Sequence, residues 1–343
     1  MSDTTNTADS YAGRRVLVVG GAGAIGSNLV RALLERDAEV LVLDDMTSGY
    51  TWNLPSSHML LLIKGDLLDE TALKRVFSES PAVVFHLAAF FANQNSVDYP
   101  ERDLMVNGLG TLRLLEYAAL KGVERFVYTS SSSVYGDSPR LPIGEDGVSL
   151  QLSTPYQVTK LLGEMYGNFY RKQHGLPVVS VRLFNSYGPG EVPGQYRNVV
   201  PNFFYWAMSG QSLPITGSGD ETRDFTFVGD VVDGLLACGV ESNAVGEVMN
   251  LAGGREVAII KLASLVLEIT GSTSDIRHLP ARKWDTKRRF LADTSKAQRT
   301  IGFAPATDFE NGLAKTYEWF TSNWENITAA ASFGPGASSA LRG

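Results

Sequence analysis

The chain has 343 residues, of which 44% are hydrophobic and 20% charged, with a formal net charge of −7 at pH 7. That is a globular composition, long enough for two lobes sharing one cleft. The acidic balance and the lack of any basic run exclude a protein built to grip nucleic acid, and no apolar run approaches the length of a membrane span. The single Cys238 excludes an intramolecular disulfide and a cysteine-rich metal site; it reads as a small filler in a helix of a cytoplasmic protein, and no metal is expected.

Met1 to Gly13 is polar and is expected to be a tail, neither a secretion leader nor a membrane anchor. Val16 to Val19 reads as a buried strand, followed by Gly20, Gly23 and Gly26 and a helix that opens at Ala24 and Ile25 and runs to Leu34. The spacing is G-x-x-G-x-x-G. Glycine there permits positive φ and close approach, so backbone N–H groups at the helix start can face a pyrophosphate. A turn that merely packs the helix on a sheet is the alternative for this stretch alone. Asp44 ends the next apolar run, Val40 to Leu43, where a carboxylate accepts from a ribose 2′-hydroxyl and repels a 2′-phosphate; NAD is therefore expected over NADP.

Met59 to Ile63 is a third strand. Asp66, beside Leu67, either reaches an adenine amino group or caps the following helix, as does Asp69. Val83 to Leu87 is a fourth strand, and Ala88 and Ala89 are small enough for a cofactor to pass. His86 reads as a packed core histidine. Asn107, on a helix from Leu104 to Leu120, is placed to brace the neighbouring strand and is expected among the residues that line the cofactor site. With Phe126 to Thr129 as the fifth strand, the alternation predicts an α/β fold with a doubly wound parallel sheet.

The fifth strand runs into Ser130, Ser131, Ser132 and Ser133, whose hydroxyls lie where such a sheet faces its ligand. A helix then opens at Tyr156 and continues to about His174. Tyr156 and Lys160, four residues apart, share one helical face. A phenol ordinarily titrates near pH 10, too high for a base at neutral pH unless a cation stabilises the phenolate; Lys160 and a positive nicotinamide ring are expected to do so.

From about Arg15 to Trp324 the chain resembles the extended short-chain dehydrogenase/reductases, specifically the nucleotide-sugar epimerases and dehydratases. The glycine turn, the Ser131 with Tyr156-x-x-x-Lys160 set, and Arg182-Leu-Phe-Asn-Ser-Tyr-Gly-Pro-Gly190 carry the resemblance. It implies that Ser131 orients the sugar 4-hydroxyl, Tyr156 is the acid/base, and Lys160 holds the ribose and the tyrosine's ionisation. It further implies that Asn185, Asn198 with Val199, Arg223 and Arg282 contact the nucleotide and its diphosphate, consistent with the bidentate fit of guanidinium to phosphate. A surface ion pair is the competing reading for each arginine taken alone.

The resemblance also bears on the reaction. The family's dehydratases and decarboxylases carry an acidic residue just before Val-Tyr-Gly, where this chain has Ser132 and Ser133, so simple C4 epimerisation is expected. Hydride leaves C4 for NAD, the 4-keto sugar turns, and the hydride returns to the other face. Phe290 stands where bulk excludes an N-acetyl group, Phe91 replaces a lysine of some hexose epimerases, and Arg197 is placed to pair with a C6 carboxylate. UDP-glucuronate is therefore expected over UDP-glucose. A dehydratase or decarboxylase on the same scaffold, or a non-catalytic NAD sensor, are the rivals; the sensor has no need of the Tyr156 and Lys160 pair.

The expected division is a Rossmann domain over residues 14–185, rejoined by 225–255, and a nucleotide-sugar lobe over 186–224 and 256–325, with tails at 1–13 and 327–343. The family's usual homodimer would use the helices from Leu104 and Tyr156, with Leu161, Met165 and Phe169 near one face.

Overall fold

A computed structural model describes residues 10–136, 140–280 and 288–333. The first half of the chain gives β1 (Arg15–Val19), α1 (Ala24–Leu34), β2 (Glu39–Asp44), β3 (Leu60–Lys64), α2 (Glu70–Ser78), β4 (Val83–His86), α3 (Asn93–Asp98), α4 (Pro100–Asp103), a π-helical turn (Leu104–Gly110), α5 (Thr111–Leu120), β5 (Arg125–Ser131), α6 (Pro155–His174) and β6 (Val178–Leu183). The second half gives β7 (Ser186–Tyr187), α7 (Val199–Met208), β8 (Leu213–Thr216), β9 (Thr222–Asp224), β10 (Thr226–Phe227), α8 (Val228–Val240), β11 (Val248–Leu251), β12 (Glu256–Ala258), α9 (Ile259–Thr270), β13 (Ile276–Leu279), α10 (Ser295–Ile301), α11 (Phe309–Ser322) and α12 (Trp324–Ala330).

Seven strands form one sheet in the order β11-β6-β5-β4-β1-β2-β3, with every pairing parallel. This is the doubly wound α/β arrangement expected from the alternation of strands and helices. Both faces are covered, which is why the strands read as unbroken apolar runs. Val16 and Val18 pack into one layer with Leu29, Val30 and Leu33 of α1 and Val231 and Leu235 of α8. Leu17 and Val19 pack into the other with Leu73 and Val76 of α2 and Leu114 and Ala118 of α5. Strand order reverses between β1 and β4, so the chain leaves these neighbours in opposite directions and a crevice opens at their carboxyl ends.

A separate apolar cluster joins α7, α9 and α11 through Val200, Phe203, Phe204, Leu262, Val266, Leu313 and Phe320. It walls the crevice from the other side. Cys238 is fully buried within α8. Among the described residues no helix is long and apolar enough to cross a membrane.

Three local expectations are corrected. The segment 104–120 is not one α-helix: its first turn is widened, which seats Asn107 against the loop after β4. The start is not a tail throughout 1–13, because Tyr11 is fully buried and its hydroxyl donates to the Leu236 carbonyl at 2.6 Å. Nor does order stop at 327: Ile327 is fully buried in α12, the Ser332 carbonyl accepts from Gln195 N at 2.9 Å, and Phe333 packs on Tyr205 and Trp206. A few apolar and aromatic anchors hold the first and last described residues, and averaged polarity conceals them.

A buried ion pair ties α6 to β6, with β5 joined to it through Ser130. Arg182 donates Nε and Nη2 to Glu164 at 2.9 and 2.8 Å, and Ser130 Oγ donates to the same carboxylate at 2.5 Å. The paired guanidinium stays charged because the carboxylate outweighs burial. Removing one partner strands the other charge. Glu164→Ala is expected to destabilise the fold by about 3–5 kcal/mol in urea unfolding, and an effect below about 1 kcal/mol, the range of a surface pair, would contradict the role.

Candidate active site

The crevice encloses about 580 Å³. At one end the turn after β1 enters α1. Gly20 has φ +81°, and a Cβ there would lie 2.6 Å from Ala88 N; a Cβ on Gly26 would lie 2.1 Å from the Gly20 carbonyl. The start of α1 has no side-chain cap, and Gly23, Ala24, Ile25 and Gly26 line the crevice, so uncapped N–H groups border it. Leu87, Ala88 and Ala89 form the adjoining wall.

Asp44 closes this end. Its Oδ2 accepts from Ala22 N and its Oδ1 from Met46 N, both at 2.9 Å; burial raises its carboxyl above the usual range against those bonds. Asp66 and Leu67 also line the crevice. Asp69, rather than Asp66, caps α2 by accepting from Thr71 N, while Asp66 accepts from Leu68 N at 2.8 Å and Arg102 Nη2 at 3.1 Å. A cradle with no room for a Cβ, uncapped amides and a carboxylate at the next strand end fit a dinucleotide.

Below lies the chemistry-bearing end. Thr154 and Gln157 make a reciprocal capping box and Pro155 occupies the first turn, which starts α6 just before Tyr156. Tyr156 and Lys160 are both buried on the side facing the end of β5. The Ser131 hydroxyl lies beside the phenol and eases its ionisation. Lys160 Nζ donates to the Thr129 carbonyl at 2.9 Å and stands 5.7 Å from the Tyr156 ring centre.

The side chains alone do not produce the expected acidic phenol. Burial pushes Tyr156 well above its ordinary value, the neighbouring Ser131 hydroxyl opposes this, and the Asp103 charge adds to it. Burial also lowers Lys160 to about 8, with Asp103 and Glu164 acting in the other direction. A low dielectric penalises both charged forms, and helical spacing alone did not reveal that effect.

Sequence reasoning missed the support behind this pair. Asp103, fully buried, accepts from Thr159 Oγ1 at 2.7 Å and Asn107 Nδ2 at 2.8 Å. Asn107 does not line the crevice: it exchanges hydrogen bonds with the Phe90 backbone and so props the loop after β4. The one signal available was the i, i+4 spacing of Asp103 and Asn107 within a charged stretch. Ser96 Oγ accepts from Tyr156 N at 3.1 Å, a contact with no sequence signature. His86 is a core histidine, bonded to Thr111 Oγ1 at 2.8 Å and held neutral by burial, which lowers it to about 3.

The rest of the wall brings together Phe91, Ser131, Ser132, Ser133, Asn185, Arg197, Asn198, Val199, Arg223 and Phe290. Phe91 meets the Tyr156 ring edge to face, and Phe290 is buried against Phe184. The Ser133 hydroxyl is buried with no hydrogen-bond partner among the described residues. Arg197 donates to the Ser48 carbonyl at 3.3 Å, and Asn198 Nδ2 to Glu191 Oε1 at 2.8 Å. Arg282 lies outside the described residues.

The NAD dependent epimerase/dehydratase family model matches residues 16–252. The chain is 37% identical over 310 residues to a UDP-glucose 4-epimerase of Mycolicibacterium smegmatis, covering 89% of this chain and 98% of that protein. It is 32% identical over 324 residues to a UDP-N-acetyl-alpha-D-glucosaminuronate decarboxylase of Bacillus cytotoxicus, covering 90% and 98%. Among solved structures, the epimerase Mth375 of Methanothermobacter thermautotrophicus superposes with a TM-score of 0.94 at 52% identity, covering 96% of this chain and 98% of that one.

Proposed function

Because the chain belongs to the NAD-dependent epimerase/dehydratase family, with NAD as its cofactor and an isomerase's chemistry, we propose that it interconverts the C4 epimers of a UDP-sugar. The observation that carries this reading is the Ser131–Tyr156–Lys160 set at the end of β5, with hydroxyls instead of acids at Ser132 and Ser133. Loss of water or carbon dioxide calls for a further acid/base at that place, whereas epimerisation needs one reversible proton transfer.

In this reading Ser131 holds the sugar 4-hydroxyl and Tyr156 takes its proton. NAD, when bound, supplies the positive ring that favours the phenolate and the acceptor that borrows and returns the C4 hydrogen. The Gly20 to Gly26 turn and Asp44 hold its pyrophosphate and ribose, Asp66, Leu67, Leu87, Ala88 and Ala89 shape its pocket, and Lys160 orients it. Asn185, Asn198, Val199 and Arg223 grip the nucleotide diphosphate, while Ser132, Ser133, Phe91 and Phe290 bound the sugar. Tight binding at the diphosphate and a loose sugar pocket let the oxidised sugar turn over without leaving.

The sugar we propose is UDP-glucuronate. Phe290 fills the wall where an N-acetyl group would need room, and Arg197 is the cation that the loop before α7 brings to the crevice. Incubation with UDP-glucose, UDP-glucuronate and UDP-N-acetylglucosamine in separate tubes, with products identified by NMR, tests both levels. Inversion at C4 of the uronate alone supports the full proposal, inversion of another sugar supports the reaction but not the substrate, and loss of water or carbon dioxide, or net reduction of NAD, overturns it.

The assembly we propose is a homodimer. Met165 and Phe169 of α6 remain 63% and 48% exposed, as does Leu104 at 54%; Leu161 instead packs inward against the Val134 and Phe184 cluster. An apolar stripe across two adjacent helices is the surface a second copy would cover. A reducing, cytoplasmic setting suits the buried thiol of Cys238.

A further inference from the structure

One buried carboxyl in the crevice has no part in the chemistry above. Glu191 lies in the loop between β7 and α7, is buried, and lines the crevice. Its backbone is pinned to the dinucleotide end: Asn28 of α1 donates to the Pro189 carbonyl and Asn53 to the Gly190 carbonyl, both at 2.8 Å. A Cβ on Gly190 would lie 3.0 Å from the Ala24 carbonyl. The loop therefore presses directly on the first turn of α1. On its other side, Glu191 Oε1 accepts from Asn198 Nδ2 at 2.8 Å and from Asn198 N at 3.4 Å.

Glu191 thus stands between the start of α1, where a pyrophosphate belongs, and Asn198, assigned above to the diphosphate of the sugar nucleotide. Arg197, on its own loop, is the charge that acts on it. The other charged groups of the crevice wall are Asp44, Asp45 and the Asp66–Arg102 pair at the adenosine end, Lys160 at the chemistry, and Glu221 and Arg223 across the cleft. Burial holds its carboxyl up at about 7, with Arg197 and the Asn198 bonds opposing. A second anion arriving beside a carboxylate in a water-poor crevice raises its affinity for a proton further.

We propose that Glu191 is a proton-uptake site coupled to substrate binding: it takes one proton from solvent when a UDP-sugar enters, so that the diphosphate meets a neutral acid still bonded to Asn198. This rests on the UDP-sugar reading above. Below pH about 7 the acid is already protonated and binding is independent of pH. Above it, each bound ligand draws in a proton, and affinity falls by up to tenfold per pH unit. The effect belongs to KM, not to kcat.

Calorimetric titration of the NAD-loaded protein with UDP-glucose, in buffers of different ionisation enthalpy, counts the proton directly. The diphosphate diester does not titrate between pH 6 and 8, and epimerisation releases no proton, so the count belongs to the protein. The expected result is uptake approaching one proton at pH 8 and near zero at pH 6, with the pH 8 count lowered by most of a proton in Glu191→Gln, Lys160 being the other crevice group that titrates there. Wild-type binding without buffer dependence at pH 8 would overturn the proposal even if the variant failed to fold, as would uptake that persists undiminished in a folded variant. Absence of any binding heat at both pH values, with UDP-glucuronate as well as UDP-glucose, would instead sink the UDP-sugar reading, and this inference with it.

Discussion

Tyr156→Phe is expected to lower kcat by about 10²–10⁴-fold, the usual worth of a positioned acid/base, while the dissociation constant for UDP-sugar changes little. The variant keeps the ring, its edge-to-face contact with Phe91 and the packing of α6; it removes the hydroxyl beside Ser131 to which the proton transfer is assigned. Because burial raises this phenol, the wild-type enzyme is expected to gain activity as pH rises from neutral until the phenolate is formed or binding weakens. The sign follows from the base being the deprotonated species, so its fraction grows with pH. Stopped-time NMR of C4 inversion, paired with calorimetry of UDP-sugar binding, separates the chemical step from recognition. A Phe variant that turns over at the wild-type rate would remove Tyr156 from the mechanism.

Gly26→Ala is expected to weaken NAD retention by about 100-fold, or about 2.7 kcal/mol. The added methyl would sit 2.1 Å from the Gly20 carbonyl and 2.7 Å from Gly21 Cα, and backbone cannot yield as a side-chain tip can. Either the turn opens or α1 moves, and in both cases its uncapped N–H groups leave the place where they meet a pyrophosphate. Gly122→Ala is the control. Its φ is +66°, but nothing lies within 4 Å of the point a methyl would occupy and it is remote from the crevice, so it should cost about 1–2 kcal/mol of stability by strain alone. NAD content of the purified proteins, read by absorbance after denaturation, and urea unfolding distinguish the two. Equal NAD content in the two variants would mean that the glycine at 26 serves packing and not the cofactor.

Much of the architecture was legible because the information is local. Four apolar residues, a glycine turn and a helix with apolar positions three and four apart name a strand–turn–helix unit, and its repetition implies parallel pairing. The reversal of strand order between β1 and β4 then puts Asp44, Ser131 and the Tyr156 helix on one crevice without further instruction. Asn107 was misjudged for the opposite reason. Its helical position was right, but the widened turn directs it to the Phe90 backbone, behind the wall it was expected to line.

What the chain alone determined is five of the sheet's seven strands, the dinucleotide turn and the pairing of Tyr156 with Lys160, each written in a short stretch of sequence; β6 and β11 carry no comparable local signal. Only the tertiary structure decided that Asp103 backs that pair, that burial raises the phenol, that Ser332 is joined to Gln195, and that Glu191 lies between α1 and Asn198. Desolvation and contacts across distant segments depend on where the whole chain excludes water, and no stretch of sequence carries that by itself.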